Sequence, residues 1–233
     1  MKKQFILLGL SCLLSLALTA VAWAYNPGQR TYNLLGNQLN CSRQPVHVEL
    51  EQQVDLAKIM KPEAYALLEA NKKSLTNSTI YNEQSPELYG QRLLTRDGQG
   101  KLVKDINYVV REGQLYVIDN IKKSYDRLPN VPGLAQSFAQ GLVPWFNEKP
   151  EAGVAEELGA DYDLFTLGKR SLKVYFQAGT DTWLGYQLGN LAPQQVKAYD
   201  QQVEADALAL PPADYQQVPN TYLREQAQKL VAK

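Results

Sequence analysis

Residues 101–129, KLVKDINYVVREGQLYVIDNIKKSYDRLP, read as short strands joined by tight turns. Leu102 to Val110 is rich in β-branched and aromatic residues, and Arg111-Glu112-Gly113 makes a turn. Gln114 to Asp119 then sets Leu115, Val117 and Asp119 on one face against Tyr116, Ile118 and Asn120 on the other. Ser124 to Leu128 closes the meander before Pro129. The alternation predicts a sheet with one wet face and one apolar face, and an apolar face has to be covered by helices, a partner or a lipid.

Strand patterns continue on both sides. Upstream, Val46, Val48 and Leu50 alternate with polar residues, which places His47, the only histidine, on the solvent side of a first strand. Thr79 to Tyr81 is β-prone, and Tyr89 to Leu94 runs into the hairpin signal Asp97-Gly98. Downstream, a second meander reads YDLFTL from Tyr162, SLKVYFQ from Ser171 and TWLGYQL from Thr182, with turns at Gly168-Lys169 and Ala178–Asp181. Leu172, Val174 and Phe176 share one face of its middle strand. Asp214 to Val218 predicts a short edge strand behind Pro211-Pro212.

Helices are expected in four places. Val54 to Leu75 carries apolar residues at helical spacing, with Pro62 at a possible helix start. Leu134 to Phe146 is apolar inside a connection marked by Pro132, Pro144 and Pro150, a candidate lid. Pro193 to Leu210 reads as helix, and the tail from Thr221 puts Tyr222, Leu223, Ala227, Leu230 and Val231 near one side of another.

Residues 1–24 differ in composition from the rest. Lys2 and Lys3, an apolar run from Phe5 to Val21, and Ala22-Trp23-Ala24 before Tyr25 match a secretory signal peptide. Retention as an anchor is the alternative, since such a run barely spans a bilayer. Cys12 sits too far inside the run for a lipidated cysteine. Residues 25–45 read as a loose polar arm, and 46–233 as a single domain. The short basic start favours a bacterial exported protein, periplasmic or associated with the outer membrane.

The chain holds 24 basic and 24 acidic residues, so it has no electrostatic footprint for nucleic acid. Past the leader only Cys41 remains, which rules out an intramolecular disulfide. A Ser-His-Asp or Cys-His site would need His47 as its base, and no G-x-S-x-G elbow occurs. One histidine and one cysteine argue against a transition-metal site. Glu156, Glu157, Asp161 and Asp163 form an acidic cluster without the ligand spacing of a calcium loop, and read as a solvated turn. No catalytic residues, metal or cofactor are therefore expected.

The cadence of residues 107–129, with Gly113, Tyr116 and Asp119 followed by Lys123, Tyr125, Leu128 and Pro129, resembles the periplasmic lipoprotein carrier family, the LolA-like half-barrel proteins. The hairpins of 168–185 and Leu210-Pro211 ahead of Tyr215 are similar to that family's later strands. The resemblance implies an α+β fold: a strongly curved antiparallel sheet, an open half-barrel, with helices plugging its concave face and room there for acyl chains. It implies a non-enzymatic envelope protein that binds, carries or senses an acylated ligand. Its partners would be a lipid or an acylated protein, with an envelope or membrane protein as a further possibility.

Tyr116, Ile118, Tyr125, Leu128, Val174, Phe176, Trp183 and Tyr186 are the candidates for the trough, with Trp145 and Phe146 closing over it. An alternative class is a protein-binding envelope factor with no small-molecule site, which docks through a sheet edge or the Trp145 loop. An enzyme that acts on cell-wall material through carboxylates is a third.

Overall fold

Alternation along the quoted segment and its neighbours is realised as one sheet. The computed structural model describes residues 28–39, 45–135, 143–145 and 148–231 of the chain. Twelve strands follow in sequence: β1 Val46–Asp55, β2 Ser74–Ser85, β3 Leu88–Asp97, β4 Leu102–Arg111, β5 Gln114–Asp119, β6 Ser124–Pro129, β7 Glu151–Ala155, β8 Ala160–Leu167, β9 Arg170–Gln177, β10 Trp183–Leu188, β11 Gln194–Asp200 and β12 Gln216–Gln217. Across the sheet they lie in the order β12-β6-β5-β4-β3-β2-β1-β11-β10-β9-β8-β7, so the sheet is open, with β12 and β7 at its ends. Three α-helices accompany them among the described residues: α1 Gln29–Leu39, α2 Pro62–Ala66 and α3 Thr221–Val231.

The α+β half-barrel with a helical plug is therefore corrected to a mostly β architecture. The sheet is mixed, because β12 runs parallel to β6 while the other neighbours are antiparallel. The two longer helices lie on separate clusters at opposite ends of one face. Tyr32 and Leu34 of α1 pack on the cluster of β1, β8, β9 and β10, and Leu223 and Ala227 of α3 pack on that of β3 to β6. Gln194–Asp200, expected as helix, is a strand because β1 offers it a free edge: His47 pairs with Asp200 and Leu50 with Val196. Tertiary pairing here overrides local propensity.

The turns follow from local chemistry. Glu112 and Gly113 both take positive φ, 53° and 71°, as a two-residue hairpin turn between twisted strands requires. At the β3–β4 turn the Asp97 carboxylate accepts from the N–H groups of Gln99 and Lys101 and from Asn71 Nδ2. Within β10, Gly185 comes so close to β11 that an added Cβ would strike the Gln194 carbonyl oxygen. Only Gly185–Gln195 and Tyr186–Gln194 pair across this junction.

The N-terminal arm is also corrected: instead of a loose segment it contains α1. The Gly28 N–H and the Thr31 hydroxyl both donate to the buried Asp163 carboxylate, at 2.9 and 2.6 Å. Arg30 pairs with Asp161 at 3.3 Å. Two residues of the acidic cluster expected to be a solvated turn therefore hold the first turn of a helix, a favourable end for carboxylates. The signal peptide, Cys12, Cys41, Phe146 and much of the proline-rich connection lie outside the described residues.

Candidate functional site

Register decides which predicted trough residues can meet. Leu128 pairs with Leu115, and Val117 with Asp126, so these four share a face. Tyr116, Ile118 and Tyr125 lie on the opposite face, where Ile118 pairs with Tyr125 and Tyr116 with Arg127. One sheet thus divides residues that the sequence grouped into one trough. Both faces here are apolar: Val109 and Ile118 are buried on the side opposite Leu128. That side carries the strap of residues 201–215, whose 3-10 turn at Ala205–Leu208 approaches Gly90 and accepts from Asn107 Nδ2 through the Ala207 carbonyl. The expected wet face is a second covered face in this part of the sheet.

Val174, Phe176, Trp183, Tyr186 and Trp145 do come together, in a cluster with Val46, Val48, Leu50, Phe165 and Leu172. Protein fills this cluster. Phe165 and Phe176 are fully buried, Tyr32 of α1 meets Phe165 edge-on, and the Arg30 guanidinium lies 4.9 Å from the Phe176 ring. The Trp183 indole N–H donates to the Gly185 carbonyl. Burial pushes the Tyr81 phenol up to about 12 against the opposing hydrogen bond from Gln91, and burial with the neighbouring Tyr81 raises Tyr186.

A groove lies beside Leu128. It encloses about 470 Å³ and runs between β6 and α3, lined by Leu128, Pro129, Val131, Ala227 and Val231, with Arg127 and Arg224 along it. Its volume is within the roughly 300–1,000 Å³ of small-molecule sites. Asp126, 2% exposed, anchors α3 against this strand. Arg224 donates Nε to one Asp126 oxygen at 2.8 Å and Nη2 to the other, and the Asn220 N–H adds a third bond at 2.8 Å. Burial pushes the Asp126 carboxyl up, but the Arg224 fork and the N–H groups of Asn220 and Arg127 outweigh it and hold the acid below its ordinary range.

Arg127 and Arg224 were missed as site residues. The helical stripe of the tail is visible in sequence, but its docking beside β6 depends on the strap having crossed the sheet first.

No family model and no curated protein matches the chain. Among solved structures it is similar to an uncharacterized conserved protein from Thermus thermophilus, at 12% identity and TM-score 0.44, over 82% of this chain and 99% of that one. It is also similar to a β-barrel-like protein of the domain of unknown function DUF1849 from Brucella abortus, at 10% identity and TM-score 0.28, over 68% and 98% of the two chains. A third likeness, to PNGF-II, has 9% identity and TM-score 0.33 over 80% of this chain, and spans 33% of that protein.

Proposed function

We propose that this is an exported, non-enzymatic binding protein of the bacterial envelope, related to the lipoprotein carriers, which takes the acyl chain of an anionic lipid or acylated ligand between β6 and α3. The groove beside Leu128 carries this reading. Its lining is apolar where a chain would lie, and each buried methylene would gain about 0.8 kcal/mol. Arg127 supplies positive charge beside the same groove, suited to a carboxylate or phosphate head, while the Arg224 charge is already paired with Asp126.

The test is titration with a fluorescent fatty acid and its neutral methyl ester, alongside mass spectrometry of lipid extracted from gently purified protein. Saturable binding of the acid, weaker binding of the ester, and loss of both in Ala227→Trp with an unchanged melting temperature are expected. A lipid-free protein that ignores both probes would overturn the proposal.

A protein-docking reading has its own observation. β7 ends the sheet, Val154 on it is 65% exposed, and among the described residues no strand pairs with its outer edge. Such an edge accepts an extended peptide as an added strand. Pull-down of a partner that is lost on Val154→Pro but unaffected by Ala227→Trp would favour this reading.

A further inference from the structure

His47 is not the solvent-facing strand residue that its V-H-V-E context suggests. It is 5% exposed, on the face opposite the large cluster of β1. Its Nδ1 lies 3.0 Å from Asn82 Oδ1 on the paired strand β2. The same oxygen accepts the backbone N–H of Glu204 at 3.0 Å. A backbone N–H can only donate, so the Asn82 atom between the two groups is the carbonyl oxygen, and Nδ1 must carry a proton. Nε2 is thereby turned toward Glu49. One ligand atom from each of His47, Glu49 and Glu204 falls within 4.8 Å of the others.

The Nε2-to-Glu49 Oε1 distance is 3.3 Å. A charge-assisted N–H to carboxylate bond closes to about 2.7–2.9 Å. Two ligands each about 2.0–2.1 Å from a tetrahedral ion stand roughly 3.4 Å apart. An oxygen acceptor that fixes the second ring nitrogen, as Asn82 Oδ1 does here, sets the tautomer and ring orientation that a metal-bound imidazole needs.

We propose that His47 Nε2, Glu49 and Glu204 bind a divalent transition-metal ion of the zinc class, leaving a fourth position for water. The site is independent of the acyl-binding reading, being on a different face and built from none of the groove residues. It ties the strap, through Glu204, to the central strand β1.

Titration of the tag-free, chelator-treated chain with Zn²⁺ by calorimetry, and with Co²⁺ by absorption, tests it. One Zn²⁺ per chain, a raised melting temperature, and visible Co²⁺ bands of low-symmetry coordination are expected. Glu49→Gln and Glu204→Gln should each weaken binding at least about tenfold, while their metal-free melting temperatures and circular dichroism match the parent's. Absence of saturable Zn²⁺ binding would overturn the proposal, as would binding that both variants leave untouched.

Discussion

The two halves of the sheet handle the same face differently. From β1 through β11 to β8, that face is built of Val46, Val48, Leu50, Phe165, Leu172, Val174 and Phe176 and closed by α1 and Trp145. From β3 to β6 it carries Tyr89, Val110, Leu115, Val117 and Leu128, with α3 and residues 134–135 packed against it. A helix held at its first turn by Asp163 packs on the buried aromatic cluster of one half, whereas a helix held by Asp126 leaves a groove beside it. One open sheet therefore carries a buried aromatic cluster at one end and an apolar groove at the other.

Replacing a core aromatic tests the first half of this contrast most severely. Phe176→Ala should cost about 3–5 kcal/mol in denaturant unfolding, because the packed surroundings cannot collapse into the space. A loss below about 1 kcal/mol would mean that this half is as loosely filled as the other. Gly185→Ala should cost about 2–3 kcal/mol, since the new methyl meets the Gln194 carbonyl and must part β10 from β11. Hydrogen exchange should show that loss of protection concentrated at 183–196.

At the α3 end, Asp126→Ala should cost about 2 kcal/mol by stripping charge-assisted bonds from Arg224 and the Asn220 N–H. The linked pH dependence has a fixed sign. Asp126 titrates below the ordinary carboxylate value of 3.8, so its contribution is complete above that value and is lost as pH falls through the lower, folded value. Hydrogen exchange in residues 221–231 should accelerate as the acid protonates, and that acid-dependent step should vanish in Asp126→Asn. The smallest effect belongs to Tyr81→Phe, about 0.5–1 kcal/mol for the lost Gln91 bond. Absorption titration should show the late phenolate step near pH 12 disappear with it.

The hairpins around Asp97-Gly98, Glu112-Gly113 and Gly168 were legible in sequence because turn residues and two-residue alternation act locally. The face that meets the core was not. Leu115 and Val117 form as good an apolar pair as Tyr116 and Ile118, and only the positions of α3 and the strap distinguish them. Asp163 shows the same limit: beside Asp161, Glu156 and Glu157 it resembles a solvated turn, until a helix 132 positions earlier places Thr31 against it. The groove was half legible, since Leu128 and the tail stripe were both visible but their meeting was not.

The pairing of β1 with β11 has a consequence for the order of assembly. β2 to β6 join neighbours that follow one another directly, so they can zip as short hairpins, while His47 must wait for Asp200, about 150 residues later. Until that part of the chain has emerged and arrived, β1 presents one row of unsatisfied N–H and C=O groups, a template for another molecule's strand. A chain truncated before Gln194 is therefore expected to self-associate through β1, and docking of β11 to be the slow, committing step that covers that edge.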